Sequence, residues 1–463
     1  MLKPGLNRLA YFSLHRLIGS RIRDYYREFL GIEKQTAAQI RELQAERLEK
    51  LLLHASRNIP FYRERVEARN GLGLDDFPVV KKEDVRANFE KLMSAEIREE
   101  YRSGRKRRRY SWIAVQTGGS TGMPTTVIHD RDGRDFGRAA RLYNQYLCGF
   151  PLGTPYLKLW GSMREINDAK GSFAQRLASR LAGETIFNAF RMEDAEIEAY
   201  INLINRSCAD HLMAYSDAAH RVAQYILKHG RKVRPLKSVM ACAATLTEDM
   251  RYTISSGFGG ARVHNTYGSR DCGSMACECG RGAFHVFENR VVLEAGPTGA
   301  GHAALILVTL LENYGFPLIR YEIGDMGTYS KEACDCGIPT RILSGVEGRD
   351  IEFLFTSAGG YISPIYFRHL IGVVHNPGVI RQFQIVQHAM DRVELKLVAE
   401  PGAADRLLQD SVAKIRRDLV AVLGQPMTLK IEIVESIPAS GSGKFIFALN
   451  RVKTPPLTST LAQ

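Results

Sequence analysis

Gln116-Thr117-Gly118-Gly119-Ser120-Thr121-Gly122-Met123-Pro124-Thr125 follows the strand-like run Trp112-Ile113-Ala114-Val115 and packs three glycines and four hydroxyl side chains into ten residues. Glycine turns tightly and lets backbone N–H groups approach an anion, and the hydroxyls add donors. A Walker A loop needs Lys-Ser/Thr after its closing glycine; Met123 and Pro124 stand there instead, which excludes that loop. The same composition occurs in ordinary surface turns, so the segment alone leaves both readings open.

Around it lies a chain of 463 residues, 45% apolar and 24% charged, long enough for two or three domains with sizeable cores. No apolar run approaches the roughly 18 residues of a membrane span. Met1 to Ser20 alternates apolar and basic residues and lacks the unbroken apolar core and small-residue cleavage site of a signal peptide. It reads as an amphipathic first helix, and a cytoplasmic location is expected. The net charge of +13 is uneven: Arg102 to Arg109 holds six cations in eight residues. Such a run is either a solvated loop or an attractor of polyanions such as ATP. No aromatic residue is interleaved with it, and nucleic acid is not expected as a partner.

Eight cysteines do not form a disulfide-like pattern. Cys148, Cys208 and Cys242 stand apart and are expected to pack as small hydrophobes. Cys272, Cys277-Glu278-Cys279 with His285, and Cys334-Asp335-Cys336 are clustered. Two tight pairs plus a histidine in a cytosolic chain point to metal. Cys279, His285, Cys334 and Cys336 would close a tetrahedral zinc shell, with Cys277 as an alternative to Cys279.

Apolar spacing at Ile40, Leu43, Leu48, Leu51, Leu52 and Ala55 predicts a helix that stops before Pro60, with Phe61 and Tyr62 packing behind it. A short helix is expected over 82–92. From 130 to 260, helical stretches alternate with short apolar runs such as 156–160, 211–215 and 238–241, the rhythm of an α/β domain with a central sheet. Strands are expected over 286–293, 303–309 and 318–321. Gly345 to Arg349 reads as a boundary. Beyond it, strands over 382–386, 393–398 and 427–434 flank one helix over 403–423, a small α+β module.

Three further strings carry chemistry. In Asn265-Thr266-Tyr267-Gly268-Ser269-Arg270-Asp271 a tyrosine beside glycine can lie flat against a base, the Asn amide can pair with an exocyclic amine, and Asp271 can reach a phosphate-bound metal ion. Tyr321 to Asp325 reads as a strand ending in Gly-Asp, whose carboxylate can accept ribose hydroxyls. Lys444 sits in Ser-Gly-Ser-Gly-Lys, a loop that suits a side chain swinging into a site. Each has an ordinary structural counterpart: a turn, a cap or a solvated lysine.

Their order is more specific than any one of them. A hydroxyl-rich glycine loop near 120, Asn-x-Tyr-Gly near 267, Gly-Asp near 325, Gly-Arg near 349 and Gly-Lys near 444 resemble the adenylate-forming superfamily in sequence and spacing. Gln44-x-Glu46-Arg47-Leu48, Ile59-Pro60-Phe61-Tyr62-Arg63 and Phe77-Pro78-Val79-Val80-Lys81-Lys82 resemble its phenylacetate–CoA ligase branch and the relatives of that branch in capsule-biosynthesis clusters. The resemblance covers essentially the whole chain.

It implies an α/β fold with a large N-terminal domain of sheets and helices, residues 1–349, and a small mobile α+β lid, residues 350–463. The implied activity joins a small-molecule carboxylic acid to a thiol, most often CoA, through an acyl-adenylate. An amine, a hydroxyl or a carrier protein is the alternative acceptor, and an inactive binding homologue is a further reading. Thr117, Gly118, Gly119, Ser120, Thr121 and Gly122 would close over the phosphates of ATP. Asn265 and Tyr267 would hold adenine, with Ala243, Thr266 and Gly268 also in the nucleotide site. Asp325 would take the ribose, and Arg349 would help bind ribose and phosphate. Asp271 takes the Mg²⁺ position, Lys444 that of the catalytic lysine, and Arg270 would touch the α-phosphate. Some members of the branch carry a zinc site of this kind. The superfamily has Thr-Glu where this chain has Arg270-Asp271, and Glu352 stands at its usual hinge Asp. Trp160, Tyr215 and 242–244 are the expected walls of the acid pocket, and a homodimer is compatible with the reading.

Overall fold

The computed structural model describes residues 4–107, 111–117, 125–160, 173–188, 194–242, 246, 248–298, 304–347, 354–356, 361–362, 364–424, 426–437 and 447–452. The N-terminal segment is the expected helix, Pro4–Leu17, with Tyr11 and Phe12 buried. The next long helix, Ala37–Asn58, starts at Thr36, whose hydroxyl accepts from Gln39 N while the Gln39 side chain caps Thr36 N. That reciprocal pairing satisfies two otherwise unpaired donors. It ends before Pro60, and Tyr62 is buried with its hydroxyl donating to Pro317 O at 3.1 Å. The short helix after Pro78 is Lys82–Ala87.

A hairpin joins β1 (Trp112–Thr117) to β2 (Thr125–Asp130), with Thr117 opposite Thr125. Strands β3 (Tyr156–Trp160), β4 (Glu184–Asn188), β5 (His211–Tyr215), β6 (Ser238–Cys242) and β7 (Arg262–Ser269) follow, pairing in parallel in the order β4-β3-β5-β6-β7. Alternation decides which face each residue serves. Leu157, Leu159, Leu212, Ala214, Val239 and Ala241 join the helices Asp194–Arg206, Ser216–Lys228 and Glu248–Gly257 in one core. Tyr156, Met213 and Met240 face a second core with the N-terminal helices and Arg131–Leu147.

The same sheet continues with antiparallel strands β8 (Gly273–Glu278), β9 (Phe284–Val286), β10 (Val291–Thr298), β11 (Ala304–Leu310), β12 (Tyr321–Tyr329) and β13 (Ile342–Glu347). Two expectations fail here. The run 286–293 is not one strand: Val291 N bonds Phe287 O at 3.0 Å, making a turn. Its polar residues are buried with partners, Asn289 on Glu28 and Arg290 on the carbonyls of Cys272 and Ser274. The run 318–321 is not a strand either, because Arg320 has φ 49°, which breaks the extension just before β12.

The small module has β14 (Leu354–Phe355) with β15 (Tyr361–Ile362), and β16 (Ile380–Ala389), β17 (Arg392–Ala399), β18 (Thr428–Ile433) and β19 (Ala448–Asn450) in the order β18-β17-β16-β19. Helix Asp405–Leu423 packs on it. Its core draws only on residues from Leu354 onward, so the fold is a large sheet-and-helix domain plus a small α+β one. The expected boundary at 349/350 falls outside the described residues. Among the described residues, no helix is long and apolar enough to cross a membrane.

Candidate functional site

Strand β7 belongs to both halves of the sheet. Arg262 to Asn265 pair in parallel with β6, and Thr266 to Ser269 pair antiparallel with β8. Asn265-Thr266-Tyr267-Gly268 therefore straddles the change from parallel to antiparallel pairing in the sheet. Asn265 N donates to Glu278 Oε2 at 2.7 Å, and Glu278 in turn takes two bonds from Arg251, at 2.8 and 3.0 Å. The Thr266 hydroxyl donates to Ala241 O at 3.0 Å. Gly268 has a structural reason of its own: a Cβ there would lie 2.5 Å from Gly273 O.

Tyr267 is buried and donates to Asp325 Oδ2 at 3.1 Å. Burial, with the Asp325 charge, holds its phenol well above the usual range. The sequence places Asp325 at a strand end; the structure places it inside β12, where the register against β11 slips between Leu305 opposite Met326 and Leu307 opposite Glu322. Gly324, at φ 92°, makes that bulge, and a bulge re-aims a side chain as a strand end would. The structure thus joins the two residues expected at adenine and ribose across 58 positions of sequence.

Arg270 and Asp271 form the β7–β8 turn. Asp271 is only 2% exposed and its Oδ2 accepts from Tyr321 at 2.7 Å. The buried His129 ring lies against the backbone of both turn residues, and burial pulls its pKa down to about 4. Thr117 ends β1 at the mouth of the glycine loop. Gly118, Gly119, Ser120, Thr121, Gly122, Ala243, Arg349 and Lys444 lie outside the described residues.

The cysteine–histidine set converges. One ligand atom each from Cys279, His285, Cys334 and Cys336 lie within 4.8 Å of one another. Cys279 Sγ is 3.8 Å from Cys334 Sγ, and Cys336 Sγ is 3.2 Å from His285 Nε2. Tetrahedral zinc with Zn–S near 2.3 Å separates two thiolates by about 3.8 Å. Thr340 Oγ1 lies 3.2 Å from His285 Nδ1, which fixes the ring and leaves Nε2 for a metal. Backbone N–H groups of Arg281 and Ile338 point at the sulfurs of Cys279 and Cys336, at 3.3 and 3.4 Å. Cys277 is not the alternative ligand: it is buried with its sulfur 4.0 Å from Cys148. Cys208, expected to be packed away, is exposed; it follows the end of helix Asp194–Arg206, and no apolar face covers it.

Of the expected pocket walls, the Trp160 and Tyr215 rings lie 4.4 Å apart, and Cys242 Sγ donates to Ala214 O at 3.2 Å. Within the described part of the basic run, Arg102 pairs with Glu90, Arg107 with Glu96 and Glu99, and Lys106 stands over the Trp112 ring; Arg108 and Arg109 lie outside the described residues. Sequence reasoning missed Tyr321, Thr340, the Arg251–Glu278 clamp and Asp217. The first three act across 50, 55 and 27 positions, leaving no local signal. Asp217 had one: an acid inside the apolar run 211–219.

Residues 354–451 match the family described as CapK C-terminal domain. The chain is 24% identical to Protein CapK of Staphylococcus aureus over 447 residues, 93% of each chain. It is 25% identical to phenylacetate–coenzyme A ligase of Thermus thermophilus over 432 residues, 84% of this chain and 89% of that one. Among solved structures, it is similar to 2-hydroxyisobutyryl-CoA ligase in complex with 2-HIB-AMP and CoA in its thioesterification state. There the TM-score is 0.55 and the identity 16%, covering 90% of this chain and 91% of that one. The open conformation of the same ligase gives a TM-score of 0.51 at 17% identity, covering 89% and 92%. With the sheet, the small C-terminal domain and the change of pairing in β7 in view, the chain is a homologue of CapK and phenylacetate–coenzyme A ligase and has the fold of the adenylate-forming acid–CoA ligases.

Proposed function

We propose that this protein activates a carboxylic acid with MgATP and transfers the acyl group to CoA. A carboxylate oxygen attacks the α-phosphorus, the bond to the bridging oxygen breaks, and pyrophosphate leaves with the electron pair. The thiolate of CoA then displaces AMP from the acyl-adenylate. No protein nucleophile is required, so catalysis rests on positioning and on charge stabilisation. The observation that carries this reading is the Tyr267–Asp325 hydrogen bond beside the strand switch in β7. It draws together a ring able to cover adenine and a carboxylate able to take ribose hydroxyls.

In this account Thr117 to Gly122 hold the β- and γ-phosphates, and Ala243 and Asn265 to Gly268 border adenine. Arg349 supports Asp325 at the ribose. Asp271 would hold the ATP-bound Mg²⁺, which would neutralise phosphate charge there, and Arg270 would meet the α-phosphate. Lys444 bridges the attacking carboxylate and the α-phosphate, then leaves when the lid, residues 350–463, rotates. Cys279, His285, Cys334 and Cys336 hold a zinc ion whose closed shell staples the β8–β9 turn to the segment before β13 and offers no open position for chemistry. The work is assigned to the cytoplasm.

Pyrophosphate release across aryl, fatty, hydroxy and amino acids tests the first half-reaction, and addition of CoA tests the second. Acid-dependent pyrophosphate followed by a thioester is expected; acid-independent ATP hydrolysis would contradict the proposal.

A further inference from the structure

The first turn after β5 holds a carboxylate with no role in the scheme above. Asp217 is 7% exposed, and its Oδ2 has no hydrogen-bond partner among the described residues. It is the second residue of helix Ser216–Lys228, whose N-terminus takes no side-chain cap. Burial pushes its carboxyl up to about 7, and among the described residues no charged group offsets that. The nearby Arg221 faces Asp194 at 3.7 Å, and burial pulls the His220 pKa down, favouring a neutral ring. A buried carboxylate without a counter-charge costs folding free energy, and a cation supplied from outside would offset it.

Its position says where that cation would come from. Asp217 stands at the carboxyl end of β5, where Tyr215 pairs with Cys242 of β6 and stacks near Trp160 of β3. Ser216 Oγ reaches Cys242 O at 3.4 Å, and one residue back on β6 Ala241 O accepts from Thr266. This is the end of the sheet on which Asn265 to Gly268 lie, so an acid held for attack on ATP would extend its acyl part toward these residues. Trp160 Nε1 is a second buried polar atom there without a partner among the described residues, a donor to complement the Asp217 acceptor.

We propose that Asp217 recognises a positively charged nitrogen on the acid, so that the substrate is an amino acid rather than an aryl or fatty acid. The proposal rests on the acid-activation reading. Its chemistry is the pairing of one buried carboxylate with one ammonium group.

The test uses full-length protein, wild type and Asp217→Asn, with MgATP, hydroxylamine as trap, and matched acids with and without their amine: phenylalanine against 3-phenylpropanoate, β-alanine against propanoate. Wild type should favour an amine-bearing acid by roughly 10²-fold or more in kcat/KM, because the deamino acid leaves the carboxylate unpaired. Asp217→Asn should cut that ratio by roughly 10–10²-fold, mainly through KM, with activity on the deamino acid held within a few fold. Equal use of both acids by wild type, or an unchanged ratio in the variant, overturns the proposal. If no acid is adenylated while MgATP still binds, the ligase reading fails instead. Calorimetric titration of the same pairs then decides: binding of an amine-bearing acid to wild type alone supports Asp217, and identical titrations of both proteins refute it.

Discussion

Asp217 links stability to function at the scale of one side chain. A carboxyl whose folded pKa is raised to about 7 binds its proton more tightly in the folded than in the unfolded state. Its contribution to stability therefore falls as pH rises from the ordinary carboxylate range through about 7, at up to about 1.4 kcal/mol per pH unit. Asp217→Asn should melt at a higher temperature than wild type at pH 8, and the gap should close toward pH 5. A gap that widens on acidification would show that the carboxylate is stabilised by partners after all. Asp271 raises a different question, since Tyr321 occupies one of its oxygens. Removing its charge in Asp271→Asn should raise the Mg²⁺ needed for adenylation and slow the step at least about tenfold, the loss of about 1.4 kcal/mol. Normal adenylation at low Mg²⁺ would pass the metal role to another carboxylate. Asp271→Glu, the superfamily residue, must fit an extra methylene into a site only 2% exposed, so it tests room as well as charge.

Elements were legible where the pattern was local. The helix ending before Pro60 and strands β3, β5 and β6 follow from apolar spacing and turn residues. The turn at Phe287–Arg290 and the left-handed Arg320 were not, because each is held by distant partners: Arg290 reaches back to Cys272, and Arg320 N is taken by Thr309. Asp325 was noticed for the right residue types but in the wrong setting, since only the slip between β11 and β12 reveals a bulge. The cysteine–histidine cluster was legible because cysteines paired in sequence are rare. Choosing Cys279 over Cys277 needed the structure, because Cys279 lies just beyond the end of β8 with its sulfur 3.8 Å from Cys334, whereas Cys277 lies within β8 with its sulfur 4.0 Å from Cys148. About one zinc per chain is expected in unchelated protein from this four-ligand shell. Cys336→Ser should lose that zinc and melt several degrees lower. Full zinc content in the variant, or none in wild type, would remove the structural-metal assignment.

At the scale of the whole molecule, a large domain followed by a small α+β one was readable from the change of strand and helix rhythm, and the described residues from Leu354 onward form a core of their own. The joining of distant motifs was readable only through their order along the chain, because Tyr267 and Asp325 share no local pattern. Domain alternation predicts unequal effects at Lys444. Lys444→Ala should slow adenylation by roughly 10²–10³-fold, the loss of one positioned donor, and leave thioester formation from supplied acyl-adenylate nearly intact. Equal losses would mean that the small domain does not exchange roles.

The central claim is attack of a carboxylate oxygen on the α-phosphorus of ATP, and oxygen labelling tests it most directly. With an accepted acid carrying ¹⁸O in its carboxylate, the AMP released after thioester formation should hold one ¹⁸O derived from the acid, with unlabelled pyrophosphate and no ADP. Label in inorganic phosphate, or AMP free of label during acid-dependent turnover, would contradict the account.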